Sequence, residues 1–319
     1  MRVVFMGFQT WGHRVLEALL RSGHDIPLVI THPESTHDYE IIWNDSVAEL
    51  AREHGIPVIE RAYANDDEVL EQVRHLAPDI LVSSDWRSWV SPALYRLARY
   101  GAINIHDALL PSYGGFAPLN WALVNGEREV GVTVHFMDEG FDTGDIVLQR
   151  RVAVEDTDTV TDLFHKTIPL FGPMVLDALD LIGSGRTEWT KQDRARATFF
   201  HKRSTEDSRI DWTRPAERIA NLVKAQVDPY PNAFTYHGPS RLRIVRASVS
   251  EHRLGGTPGR IFRPERGGVA VVCGPNAHNG SELAVVLERV RTEDGTEYSG
   301  AEYFKKMGGY LTSGQTGEH

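Results

Sequence analysis

The 319-residue chain is 41% apolar and 24% charged, an ordinary globular composition that excludes a disordered or fibrous protein. No run of about 18 apolar residues occurs, so no membrane span is expected. Cys273 is the single cysteine, which excludes an internal disulfide framework and a cysteine-cluster metal site. Residues 1–200 carry 17 basic and 30 acidic side chains, against 17 and 14 in residues 201–319. The acidic first part speaks against non-specific nucleic-acid binding there.

The N-terminus, MRVVFMGF, reads as a first strand rather than a signal peptide, so a cytoplasmic enzyme or binding protein is expected. Arg2–Met6 is an apolar run that ends at Gly7. Gly12–Ser22 carries Val15, Leu16, Leu19 and Leu20 at helical spacing, and Gly23 follows as a stop. Ile26–Ile30 is the next strand, Ser46–His54 and Asp67–Leu76 are further helices, and Asp79–Ser84 and Ala102–His106 read as buried strands. This alternation predicts an α/β fold of Rossmann-like type, with a mostly parallel sheet that places ligands outside its carboxyl ends. Val130–Met137 and Ile146–Val154 are β-rich, and Thr159–Ile182 is one long apolar-periodic stretch. Residues 186–212 turn polar and basic, which suits a linker. Pro215–Gln226 predicts a helix, and short strands with turn signals from Ala233 onward predict a small antiparallel β-barrel of OB-like type. The expected domains are 1–190, a linker over 191–212, and 213–319.

The densest polar and glycine-rich stretch runs from Asn104 to Gly115. Asn104 and His106 lie two apart at the end of an apolar strand, so both side chains face one way. An amide beside an imidazole can hold a carbonyl oxygen and move a proton; the plainer reading is a capping Asn and a structural His. Asp138, Glu139, Asp142 and Asp145 fall within eight residues. They lack EF-hand spacing, so a solvated hairpin loop competes with one carboxylate that faces His106 and fixes its tautomer. Gly7–Gly12 is not G-x-G-x-x-G, and G-x-S-x-G and Walker A motifs are absent, so dinucleotide, hydrolase and P-loop readings fall away. Trp86, Trp89, Tyr113, Phe116 and Trp121 are core candidates singly and a flat heteroaromatic pocket together.

At these residues the sequence resembles the 10-formyltetrahydrofolate-dependent formyltransferases, the family of methionyl-tRNA and amino-sugar formyltransferases. Asn104-x-His106 with Leu109-Leu110-Pro111 resembles its signature, and Asp142-Thr143-Gly144-Asp145 its catalytic aspartate segment. Ala117–Trp121, Val124–Glu127 and Gly131–Thr133 are similar to the stretch between. Ile210–Trp212 and Asp228–Pro231 resemble the start of its C-terminal domain. Ala108 departs from the family, which usually has Ser there.

The resemblance implies that Asn104 binds the developing oxyanion, with protonated His106 as a second donor. Asp142 orients His106 and helps remove the amine proton. Trp86, Arg87, Tyr113, Gly114, Gly115, Asp138, Glu139 and Phe141 are implied to surround the folate. Neither a metal nor a covalent enzyme intermediate is implied. A tRNA acceptor needs a basic surface, whereas residues 34–53, where the bacterial tRNA enzymes have a basic loop, hold six acids and Arg52. An amino-sugar nucleotide fits Asn120-Trp121 and Asp228-Pro229 but lacks a visible cationic site. A small amine such as N-hydroxyornithine, on the way to a hydroxamate siderophore, is the favoured acceptor. Residues 198–203 and 256–259 resemble such enzymes, and an acidic entrance suits a cation. A non-catalytic folate-binding protein and a nicotinamide-dependent dehydrogenase are the readings of a different class. The oligomeric state is not set by the sequence.

Overall fold

The computed structural model describes residues 1–37 and 41–314. Asp38 and Glu40 of the acidic 34–53 segment, and the last five residues of the expected C-terminal domain, lie outside the described residues. By proximity the chain divides into two units. The first comprises Met1–Pro118, Glu129–Val154 and Phe164–Lys202, the second Leu119–Arg128, Glu155–Leu163 and the chain from Arg203. No helix among the described residues is long and apolar enough to cross a membrane.

In the first unit, strands β1 (Arg2–Gly7), β2 (Asp25–Thr31), β3 (Val58–Glu60), β4 (Ile80–Ser84) and β5 (Ala102–His106) are followed by a two-residue strand β6 (Gly114–Gly115). Next come β7 (Glu129–Phe136), β8 (Ile146–Ala153) and β9 (Phe199–Phe200). The main sheet runs β3-β2-β1-β4-β5-β7-β8. Its first five strands pair in parallel and the last two antiparallel. The short loop 137–145 folds β7 and β8 into an antiparallel hairpin.

The intervening helices are α1 (Gln9–Arg21), α2 (Val47–Glu53), α3 (Asp67–Leu76) and the single turn α4 (Pro92–Tyr95). Alternate residues of β1 feed two cores, as expected of a central strand covered on both faces. Val3 and Phe5 pack with Val15, Leu16 and Leu19 of α1. Val4 and Met6 pack with Val69 and Val73 of α3. Gly7 and Gly12 are needed for closeness rather than for a tight turn: a Cβ on Gly12 would lie 2.8 Å from the Gly7 carbonyl carbon. Helix α1 can therefore start directly against the end of β1.

The apolar-periodic stretch 159–182 forms two helices, α6 (Val160–Thr167) and α7 (Phe171–Gly183), separated by a 3₁₀ turn over Ile168–Leu170. Pro169 sits in that turn, lacking the N–H that a continuous helix needs. The 191–212 segment is not a free linker through its length. Thr190, just before it, bridges Ile146, and Phe199–Phe200 pairs with Gly114–Gly115, so the chain as far as Lys202 is built into the first unit. Finally, the second unit does not begin at 213. It includes most of helix α5 (Pro118–Asn125). Asn120 donates from Nδ2 to the Ala225 carbonyl (2.8 Å), and Arg218 donates to the Val124 carbonyl (3.1 Å).

The second unit holds helix α8 (Ala216–Lys224), the short helix α9 (Gly300–Tyr303) and seven strands. These are β10 (Ala233–His237), β11 (Ser240–Arg253), β12 (Ile261–Glu265), β13 (Gly268–Val271), β14 (Leu283–Arg291), β15 (Glu297–Ser299) and β16 (Leu311–Thr312). They form an antiparallel sheet, β12-β13-β14-β11-β10-β16, with β15 on β14. An Arg260–Tyr310 bridge joins the chain just before its two outermost strands, which curls the sheet toward a barrel. Its core holds Trp212, Ile219, Leu242, Val271, Leu287 and Phe304.

Candidate active site

Strand β5 ends at the carboxyl edge of the first sheet, the edge where α/β folds expose ligand-binding side chains. The period-2 alternation puts Asn104 and His106 on one face there. Strand β7 pairs antiparallel with β5 so that His135 lies opposite Asn104 and Thr133 opposite His106. Residues directly opposite share a face, so an imidazole from β7 is placed beside the Asn104 amide. The loop after β7 then returns Asp142 to the same point.

The structure brings the three residues read as catalytic together. Asp142 Oδ2 lies 4.0 Å from His106 Nε2, and Asp142 Oδ1 lies 3.5 Å from Asn104 Nδ2 and 3.4 Å from His135 Nε2. Asn104 Nδ2 is also 3.4 Å from His135 Nε2. The Gly115 N–H donates to Asp142 Oδ2 at 2.8 Å. His106 Nε2 is 2.9 Å from the Tyr113 carbonyl oxygen. A carbonyl only accepts, so Nε2 carries hydrogen whether the ring is neutral or charged, and the exchangeable proton is the one on Nδ1. The tautomer is thus fixed by the Tyr113 carbonyl, while Asp142 acts on His106 through its charge.

Electrostatics follow the geometry. Burial alone would lower the His106 pKa. The Asp142 carboxylate, then Asp107 and the Tyr113 carbonyl, outweigh burial and hold it above the ordinary histidine value. Burial would raise Asp142, yet the His106 charge, the His135 contact and the Gly115 N–H hold it far below the usual carboxylate range. Asp142 is therefore ionised at any working pH, and His106 is biased toward imidazolium.

Several backbones at this edge are strained. Gln9 (φ 51°), Asp85 (φ 54°), Tyr113 (φ 62°) and Asp142 (φ 54°) are non-glycine residues in the left-handed region. Each such conformation costs on the order of 1 kcal/mol or more, and clustering of this kind is characteristic of functional sites. Gln192 holds the Asp142 turn by donating from Nε2 to the carbonyls of Asp142 (2.8 Å) and Gly144 (2.7 Å). The sequence reading missed Gln192 and His135. For His135 the only signal is the β-rich pattern of residues 130–137, which does not give the register that sets it opposite Asn104. Gln192 carried none, because it lies in a polar stretch without periodicity.

A cleft open to solvent adjoins this cluster. Among the residues read as cofactor-binding, Trp86, Asp138 and Phe141 line it, together with Trp89, Asn104 and Asp142. Trp86 Nε1 and Ser88 Oγ are buried there with no hydrogen-bond partner. Two unsatisfied donors and the aromatic side chains of Trp86, Trp89 and Phe141 in one lining fit a flat heteroaromatic ring with polar edges. Arg87 and Glu139 are not in the lining. Arg87 donates to Gln9 Oε1 (2.5 Å) and pairs with Asp85 (3.0 Å), and exposed Glu139 pairs with Arg96 (3.2 Å). Tyr113 stacks on Phe200 with ring centroids 4.9 Å apart. The crowding at Gly114 and Gly115 comes from the chain itself: a Cβ on Gly115 would lie 2.4 Å from the Phe200 carbonyl oxygen. These residues frame the site through strand pairing and the Gly115 N–H.

Comparison with known proteins gives a consistent picture. The formyl transferase family model matches residues 1–170, and the model of its C-terminal domain matches residues 202–308. A methionyl-tRNA formyltransferase from Geotalea uraniireducens (strain Rf4) is 36% identical over 295 residues, covering 92% of this chain and 91% of that one. Among solved structures, an N-formyltransferase from Helicobacter canadensis in complex with folinic acid and dTDP-3-aminofucose superimposes with a TM-score of 0.62. It is 18% identical and covers 93% of this chain and 99% of that one. HypX from Aquifex aeolicus in complex with tetrahydrofolic acid superimposes with a TM-score of 0.58 at 18% identity. That match covers 95% of this chain and 47% of HypX, so the chain spans about half the length of that relative. At these identities the two structural likenesses speak for the fold.

Proposed function

The chain belongs to the formyl transferase family, and on that premise we propose that the amine it formylates is a small molecule, the N-hydroxylated side-chain amine of ornithine destined for a hydroxamate siderophore. It is an enzyme whose formyl donor is 10-formyltetrahydrofolate. When bound, that donor supplies the formyl carbon and leaves as tetrahydrofolate. Trp86, Ser88, Trp89, Asp138 and Phe141 are the residues that would hold it, beside Asn104 and Asp142.

The reading of the chemistry assigns three roles. Asn104 donates from its amide to the oxygen on which negative charge develops. His106 accepts the amine proton at Nδ1, since Nε2 already carries hydrogen bonded toward Tyr113. Asp142 stays ionised and stabilises the imidazolium that results. His135 and the Gly115 N–H keep Asp142 in place, and Gln192 keeps its turn in place.

One observation carries the choice of acceptor: among the described residues, three arginines around the cleft lie in ion pairs with carboxylates. Arg87 pairs with Asp85, Arg96 with Glu139, and Arg194 lies 3.6 Å from Asp138. Arg52, the one base of the 34–53 segment, is bonded to Glu60. Phosphate-bearing acceptors depend on uncommitted cations, whereas a small amine needs none. A second reading, formylation of methionyl-tRNA, is favoured by the 36% identity to the Geotalea enzyme. Turnover of 10-formyltetrahydrofolate with N-hydroxyornithine, ornithine, a nucleotide-linked amino sugar or methionyl-tRNA, read by product mass, separates them. Formyl-N-hydroxyornithine is expected; a formylated tRNA without it would overturn the proposal.

A further inference from the structure

The polar stretch that reads as a linker in sequence is built against the loop that carries the hydrogen-bond partner of His106. Thr198, just before β9, meets that loop twice. Its Oγ1 accepts from the Tyr113 N–H at 2.9 Å, and its carbonyl oxygen accepts from the Gly114 N–H at 2.9 Å. The Thr198 N–H in turn donates to the Pro111 carbonyl at 3.2 Å, and the Phe116 N–H donates to the Phe200 carbonyl at 3.0 Å. Of the four N–H groups from Tyr113 to Phe116, three are thus bonded to the 198–200 segment and the fourth, on Gly115, to Asp142.

The Tyr113 carbonyl and the Gly114 N–H belong to one planar trans peptide group and point opposite ways. On one side the carbonyl faces His106 Nε2 at 2.9 Å, and on the other the N–H faces the Thr198 carbonyl oxygen. Tyr113 itself has φ 62°, in the left-handed region that a tyrosine keeps only when its surroundings hold it there. The Thr198 hydroxyl bonds the N–H that precedes this strained residue, and the Thr198 carbonyl bonds the N–H that follows it. Among these partners the hydroxyl is the one that a substitution removes without altering the main chain. Thr198 is exposed, so valine, of the same shape, can replace it without burying an unpaired polar side chain.

We propose that Thr198 is a positioning residue for formyl transfer. Its hydroxyl holds Tyr113 in the left-handed conformation, so that the Tyr113 carbonyl keeps hydrogen on His106 Nε2 and leaves Nδ1 as the site of proton exchange. Thr198 acts through Tyr113 rather than on the reacting atoms. The proposal rests on the reading of His106 as the proton acceptor and is independent of which amine is formylated.

The test is NMR of the isotopically labelled imidazole nitrogens in the full chain, on the alkaline side of the His106 titration. The His106 signals are assigned by their absence in His106→Ala. Wild type, Thr198→Val and Thr198→Ser are compared, with thermal melts as the check on folding, and tetrahydrofolate release is followed with N-hydroxyornithine and with methionyl-tRNA. Wild type is expected to carry hydrogen on Nε2 alone. Thr198→Val is expected to show both tautomers and a kcat lower by about threefold to tenfold, the scale of one hydrogen bond. Thr198→Ser is expected to restore the single tautomer and most of kcat. Hydrogen on Nδ1 in wild type, a single Nε2 tautomer kept in Thr198→Val, mixed tautomers with kcat unchanged, or no rescue by serine would each overturn the proposal. If Thr198→Val does not fold, Thr198→Ala is judged by the same outcomes. The tautomer comparison needs no acceptor, so its failure separates from that of the function. Turnover that survives His106→Ala sinks the reading of His106. Turnover lost in His106→Ala, with an unmoved tautomer in Thr198→Val, sinks the role of Thr198 alone.

Discussion

Replacing Asp142 by asparagine removes a negative charge 4.0 Å from His106 Nε2 while keeping the side-chain volume. Both groups are buried, with side-chain exposures of 10% and 13%, so solvent screens the pair little. At an effective dielectric constant of about 20, unit charges at that distance interact by about 4 kcal/mol. If the imidazolium forms fully in the transition state, losing that interaction slows turnover by roughly 10³-fold at about 1.4 kcal/mol per decade. The asparagine oxygen can still accept from Gly115, but its amide nitrogen then faces Asn104 Nδ2, donor against donor. The assay is steady-state release of tetrahydrofolate near neutral pH, giving kcat and KM separately, with a thermal melt as the check on folding. The loss is expected in kcat. A loss under tenfold in a folded variant would refute the argument that the Asp142 charge stabilises His106⁺.

Four further outcomes are expected. Because His106 is held above its ordinary value of about 6.5, kcat/KM should fall as pH is lowered through an inflection above that value, and Asp142→Asn should move the inflection down; a flat profile removes His106 from proton transfer. The same shifts act on stability with opposite signs: the His106 contribution is full below about pH 6.5 and is lost as pH rises through its raised value, whereas the Asp142 contribution is present above about pH 3.9 and is lost as pH falls toward its depressed value. His106→Ala should therefore cost more stability, in a denaturant titration, at pH 6 than at pH 9. Gly115→Ala should destabilise the fold by about 1–3 kcal/mol from its backbone alone, since the residue has φ 92° and its Cβ would meet Phe200; an unchanged denaturation midpoint would contradict this. Gln192→Ala should lower kcat about tenfold and the stability by about 1–2 kcal/mol, through loss of two hydrogen bonds that hold the Asp142 turn; a loss of stability in a denaturant titration with kcat unchanged would make Gln192 merely structural.

How far the sequence foretold the site depended on whether a residue's place was set locally. Asn104 and His106 were legible because a short apolar strand fixes both their face and their end of the sheet. Asp142 was legible through motif spacing, but the carboxylate cluster around it gave no means of choosing it over Asp138 or Asp145. His135 depended on strand pairing, which the period-2 pattern of Val130, Val132 and Val134 hinted at without giving the register. Gln192 and Phe199–Phe200 lie in a polar stretch that reads as a linker, because pairing with the distant Gly114–Gly115 leaves no local pattern. Likewise Arg87 and Glu139 looked like ligand-facing groups in sequence, and their partners Asp85, Gln9 and Arg96 appear only in three dimensions.

The central claim is that Asn104, His106 and Asp142 pass a formyl group to a small amine. Its most direct test is an internal competition in which wild-type enzyme, 10-formyltetrahydrofolate, N-hydroxyornithine and methionyl-tRNA share one reaction. The ratio of formylated products gives the ratio of kcat/KM values. Formyl-N-hydroxyornithine in large excess, absent with His106→Ala, is the expected result. Preferential formylation of the tRNA, or product formation that survives His106→Ala, would contradict it.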